Sequence, residues 1–179
     1  MKITIFGLEG TGTSSVGKLL AESMGYEFKS AGNIMRDMAN DEGITLEEFN
    51  TNRLVKIKKG EENGEADKEI DSYIKKFGEE NDCFVFEGRL PWYLISDAFK
   101  IKLICSDDIR CRRVAIRDGI TQEKAYENSI RRQEENKEVF KRIYNMVNYP
   151  PDDLVFDLVI DTGIMHPEEL VKEILSKVE

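Results

Sequence analysis

Two rhythms of apolar and polar positions alternate along the chain. Short contiguous runs of apolar and β-branched residues (Lys2-Ile3-Thr4-Ile5-Phe6, Cys83-Phe84-Val85-Phe86, 100–105 and 154–160) predict buried strands. Tyr26-Glu27-Phe28-Lys29 predicts a further, shorter one. Between them, apolar residues recur at three- and four-residue intervals. Val16, Leu19, Leu20 and Met24 predict a helix over 15–25, with Gly25 at its end. Ile34, Met35 and Met38 predict one over 31–40, and Ile70, Tyr73, Ile74 and Phe77 one over 66–77. Thr45-Leu46-Glu47-Glu48 has the form of a capping box and opens another helix. The stretch 56–64, charged and punctuated by glycine, predicts an exposed turn or mobile segment. Helices are also expected over 107–118, 122–144 and 167–178. Strands alternating with helices predict an α/β fold of three layers, a parallel sheet flanked by helices, with ligands beyond the carboxyl ends of the strands.

The 179 residues are enough for one domain, and no repeat breaks them up. With 40% hydrophobic and 34% charged residues, a sizeable core lies under a very polar surface. A net charge of −9 argues against nucleic acid or an anionic membrane as partner, and makes the placement of arginines informative. No apolar run approaches the ~20 residues that span a bilayer. The three cysteines form no C-x-x-C pair. Cys83 and Cys105, in or beside apolar runs, are expected as reduced core residues, consistent with a cytoplasmic protein. His166 is the only histidine and is expected at the surface near a helix start.

The most informative segment is Gly7-Leu8-Glu9-Gly10-Thr11-Gly12-Thr13-Ser14, followed by Ser15. It stands between a strand and a helix. It fits the phosphate-binding pattern G-x-x-x-x-G-K-[ST] except that Thr13 holds the lysine slot. Such a loop aims backbone N–H groups and a helix dipole at an anion, and Ser14 would place its hydroxyl on Mg²⁺.

Three further constellations follow predicted strands or fill predicted helices. Ser30-Ala31-Gly32 leads to Arg36, whose guanidinium could grip a phosphate bidentately. Glu87-Gly88-Arg89 places a carboxylate suited to Mg²⁺, a glycine that permits close approach, and a second phosphate clamp. Arg110, Arg113 and Arg117 share one helix face, with Arg112, Arg131, Arg132 and Arg142 nearby; Gly119-Ile120-Thr121 separates the two helices as in a hinged lid. Taken singly, these are equally a capped helix, a strand exit and a solvated charged face. Taken together they point to phosphoryl transfer between two nucleotides, which needs charge neutralisation, in-line positioning and exclusion of water.

The chain resembles the nucleoside monophosphate kinases, and within them the short archaeal-type cytidylate kinases. The resemblance is carried by the glycine loop, Ser30-Ala31-Gly32…Arg36, Leu46-Glu47-Glu48-Phe49-Asn50, Asp67…Glu69-Ile70-Asp71 and Glu87-Gly88-Arg89-Leu90. It continues through Arg110…Arg113…Arg117-Asp118-Gly119-Ile120, Arg132 and Asp157-Leu158-Val159-Ile160-Asp161-Thr162. It implies a single P-loop NTPase domain over 1–179 with a helical NMP-binding segment at 30–80 and a LID at 110–145. It also implies ATP and Mg²⁺, with CMP or dCMP as acceptor. Gly7 to Ser15 would hold the ATP phosphates. Ser30, Gly32, Arg36, Asp71, Gly88 and Arg89 would serve the monophosphate, and Ser14 and Glu87 the metal. Arg113 would lie against ATP, and Arg117 and Arg132 would close over the transferring group. A monomer is expected.

The chain departs from the resemblance at Thr13, in the length of 51–65, and at Val139 before Phe140. Lys29, Lys137 or Lys141 is therefore expected to substitute for the loop lysine. A non-catalytic nucleotide-binding regulator, or another small-molecule kinase such as adenylate or dephospho-coenzyme A kinase, is the alternative.

Overall fold

The computed structural model describes residues 1–59 and 65–178. Five strands, β1 (Lys2–Gly7), β2 (Glu27–Ser30), β3 (Phe84–Glu87), β4 (Phe99–Ile104) and β5 (Leu158–Asp161), form one parallel sheet in the order β2-β3-β1-β4-β5. Helices α1 (Thr13–Met24), α2 (Ala31–Asp41), α3 (Leu46–Lys59), α4 (Glu65–Glu80), α5 (Pro91–Leu94), α6 (Asp107–Asp118), α7 (Gln122–Tyr144) and α8 (Pro167–Val178) flank it.

Alternation along the strands sends side chains into two cores. Ile3, Ile5, Val85, Ile101 and Ile160 pack with Val16 and Leu20 of α1 and with Leu170 and Ile174 of α8. Phe84 and Phe86 point the other way, onto Ile70 and Ile74 of α4 and onto Ile95. Leu90, Val139 and Phe140 form a third cluster that holds α7 to the body of the domain. Each fully buried Ile or Phe stabilises by about 1.5–3 kcal/mol.

The capping box forms: Thr45 N donates to Glu48 Oε2 at 2.9 Å and Glu48 N to Thr45 Oγ1 at 3.1 Å. Three expectations are corrected. Helix α3 runs through Lys59, so 56–59 are helical; residues 60–64 of the expected turn lie outside the described residues. Strand β5 begins at Leu158, not 154, because Asp152 caps a 3-10 turn over Asp153–Val155 and leaves Leu154 at the surface. Cys83 is exposed and precedes β3. The short helix α5, started by Pro91, was not foreseen.

Candidate active site

The loop between β1 and α1 is wound tightly. Thr11 folds back on Leu8, its N–H and Oγ1 both donating to Leu8 O. Gly10, at φ 82°, lies so close to α6 that a Cβ there would stand 2.2 Å from Arg110 O. Gly12 starts α1 in the left-handed region, with no side chain capping the first turn. By contrast Ser30, Ser106 and Thr121 cap α2, α6 and α7. The first-turn amides of α1 are therefore left for an external anion. Thr13 occupies the next position, half-buried, with Ser14 and Ser15 exposed.

The register of the sheet brings three distant polar residues together. Glu87 ends β3 opposite Ser30 on one side and Ile5 on the other. Its Oε1 accepts from Ser30 Oγ at 2.5 Å and from Ser14 Oγ at 3.1 Å. Hard oxygen donors of this kind fit Mg²⁺, which is commonly held by one or two carboxylates together with substrate phosphates. Gly88 lets α2 approach: a Cβ there would lie 2.7 Å from Ala31 Cβ.

Arginines converge on the loop from three elements. Arg89 donates through Nη1 to Asn136 Oδ1 of α7 at 2.8 Å and pairs through Nη2 with the Glu9 carboxylate. Arg132, one turn before Asn136, reaches Glu9 Oε1 at 3.7 Å. Arg113 donates to Gly10 O at 3.3 Å and to Thr162 O at 2.8 Å, and Thr162 Oγ1 in turn donates to Thr11 O at 2.8 Å. Arg110 is 1% exposed; it bonds Asp107 Oδ1 at 2.7 Å, Ser129 Oγ at 2.5 Å and Glu9 O at 3.5 Å. Burial pushes the Glu9 carboxyl upward, but Arg89, the backbone, Arg132 and Arg110 outweigh it and hold the group below its ordinary value.

The other expected site residues take different partners. Arg36, on an exposed face of α2 beside Gly32, bonds Asn33 Oδ1 at 2.5 Å. Arg117 is exposed and tied to its neighbour Asp118. Asp71 accepts from Tyr144 OH of α7 at 2.7 Å; burial raises its pKa. Lys29, expected as one substitute for the loop lysine, is engaged by residues of β2 and α4. It pairs with Glu27 at 2.7 Å and lies over the Phe77 ring at 5.2 Å. Lys137 and Lys141 are exposed on α7. The side chain of Glu9 and the roles of Asn136 and Thr162 went unread in the sequence. The only signal for Arg110 was its membership of the arginine face, which hid its burial.

A glycine loop between β1 and α1, a parallel sheet with β1 at its centre, and arginines converging from beyond the strand ends define a P-loop kinase fold. A shikimate kinase from Aquifex aeolicus shares it, with a TM-score of 0.58 at 21% identity over 99% of this chain and 96% of its own. Residues 2–164 match the cytidylate kinase-like family, and the chain belongs to that family. It is 37% identical to a cytidylate kinase of Sulfurisphaera tokodaii over 96% of this chain and 92% of the relative. With a cytidylate kinase of Archaeoglobus fulgidus the identity is 33%, over 100% of this chain and 95% of the relative.

Proposed function

We propose that the protein is a nucleoside monophosphate kinase that moves the γ-phosphoryl of ATP to CMP or dCMP. The observation that carries this reading is the Glu87 carboxylate, which joins Ser14 at the triphosphate loop to Ser30 at the start of the acceptor-side helix. The names of the relatives support CMP as the acceptor; they lend nothing to a non-catalytic regulator or to an adenylate or dephospho-coenzyme A kinase.

In the reaction an oxygen of the acceptor phosphate attacks the γ-phosphorus. The bond to the β,γ-bridging oxygen breaks, and ADP and a nucleoside diphosphate leave. The loop amides from Gly7 to Ser15 bind the donor phosphates. Ser14 and Glu87 would hold Mg²⁺, which neutralises charge on the donor phosphates. Ser30, Gly32, Arg36, Gly88 and Arg89 orient the acceptor phosphate, and Asp71 faces the nucleoside side. Arg113, Arg117 and Arg132 place positive charge where the transferring group gathers negative charge. Segments 30–80 and 110–145 act as the NMP-binding and LID parts of one domain. Guanidinium groups take over the charge of the lysine replaced by Thr13, Arg113 and Arg110 being the two that touch the loop backbone.

No helix among the described residues is long and apolar enough to cross a membrane. The free thiols of Cys83, Cys105 and Cys111 support a reducing, cytoplasmic setting, where the protein would act as a monomer on nucleotides. A coupled ADP-release assay over a panel of nucleoside monophosphates tests the reading. Turnover with CMP and dCMP that stops when Mg²⁺ is chelated is expected. ATP binding without acceptor-dependent turnover would refute it.

A further inference from the structure

A carboxylate is out of place in a loop that receives anions, because it repels the phosphates the loop amides attract. Glu9 is nevertheless there. Its side chain is only 15% exposed, and it partners two guanidinium groups. Those groups come from different elements: Arg89 from the segment after β3 and Arg132 from α7. Arg89 divides its donors, Nη1 going to Asn136 and Nη2 to Glu9. Releasing Glu9 would free one prong of Arg89 while Asn136 keeps the other in place.

We propose that Glu9 is a positioning residue for the phosphate clamp that Arg89 and Arg132 form. It is an internal counter-anion that holds Arg89 and Arg132 beside the loop until the phosphate of an arriving nucleoside monophosphate takes their N–H donors from it. The inference rests on the reading of Arg89 and Arg132 as phosphate ligands. One carboxylate against two guanidinium groups leaves a single positive charge for the incoming anion. The isosteric amide of Glu9→Gln would leave two. The variant then binds anions more tightly but loses the element that sets the two arginines in register, so affinity and turnover change in opposite senses.

The test is titration calorimetry with CMP and, separately, with inorganic sulfate, on wild type and on Glu9→Gln. The variant is expected to bind both probes about three- to tenfold more tightly, a gain of the size of one charge-assisted contact. In an Arg89→Met background the gain should fall below about twofold, as coupled neighbours require. The KM for CMP should fall together with kcat in Glu9→Gln. Unchanged or weaker binding of both probes by a cooperatively melting variant would overturn the proposal. Should the variant fail to fold, arginine side-chain NMR on the wild type decides instead: the Arg89 and Arg132 guanidinium signals must move when CMP is added, and their constancy would overturn it. Tighter sulfate binding through Arg89 in a protein without kinase turnover supports this inference and removes only the kinase reading. Normal turnover with no change in binding removes only this inference.

Discussion

Ser30 and Glu87 stand opposite one another in the β2–β3 ladder, and the serine hydroxyl donates a 2.5 Å hydrogen bond to Glu87 Oε1. Ser14 reaches the same oxygen from α1. One carboxylate thus joins the first turn of α1 to the residue that caps α2. Glu87→Gln keeps the shape and removes the charge. The expected result is a loss of about 10²–10³ in kcat, of the size seen when one electrostatic contact to the transition state is removed. Mg²⁺ saturation should shift to higher concentration, with little change in melting temperature. Steady-state rates across a Mg²⁺ titration check this; an unchanged midpoint and rate would remove Glu87 from the site.

Thr13 and the arginines make opposite predictions. If guanidinium groups supply the charge, Thr13→Ala should cost less than about fivefold in kcat, while Arg132→Ala should cost about 10²–10³. The comparison needs only rates at saturating ATP and CMP. A large loss at Thr13 with a small one at Arg132 would reverse the assignment.

Gly10 combines φ 82° with a backbone contact to α6 that leaves no room for a Cβ. Both the strain and the clash with Arg110 O act on Gly10→Ala, for a combined cost of about 2–4 kcal/mol. Thermal melting should show this as a lowered midpoint. ATP affinity should fall at least about tenfold, because the loop amides move with the backbone. Wild-type melting and ATP affinity in the variant would show that the loop is not held against α6.

Asp71 gives a pH signature. Burial raises its folded pKa above the unfolded value of about 3.9, and Tyr144 opposes this only in part. A raised pKa means that its contribution to stability is full below the unfolded value and is lost as pH climbs through the folded one. Asp71→Asn is indifferent to that change and still accepts from Tyr144. The difference in melting temperature, variant minus wild type, should therefore move in favour of the variant as pH rises from about 4 toward 7. The KM for the acceptor should rise at the same time. A flat or opposite trend in the melts would contradict the burial argument.

The primary structure on its own determined most of the elements and the loop. Period-two and period-3.6 patterns depend on neighbours in the chain, so the spans of α6, α7 and α8 could be read directly, as could the glycine loop and the residues that leave β2 and β3. It also showed arginines clustered in an acidic chain, a pattern that a phosphate ligand or a solvated face would equally produce. Only the tertiary structure decided where each one sits. Arg110, Arg113 and Arg117 share a helix face by spacing, yet packing buries the first, sets the second on the loop backbone and leaves the third with Asp118. The meeting of Ser14, Ser30 and Glu87 follows from strand order, and that of Glu9, Arg89 and Arg132 from the docking of α7 through Val139 and Phe140. Such long-range pairings arise from how separate apolar faces fit together, which no local pattern encodes.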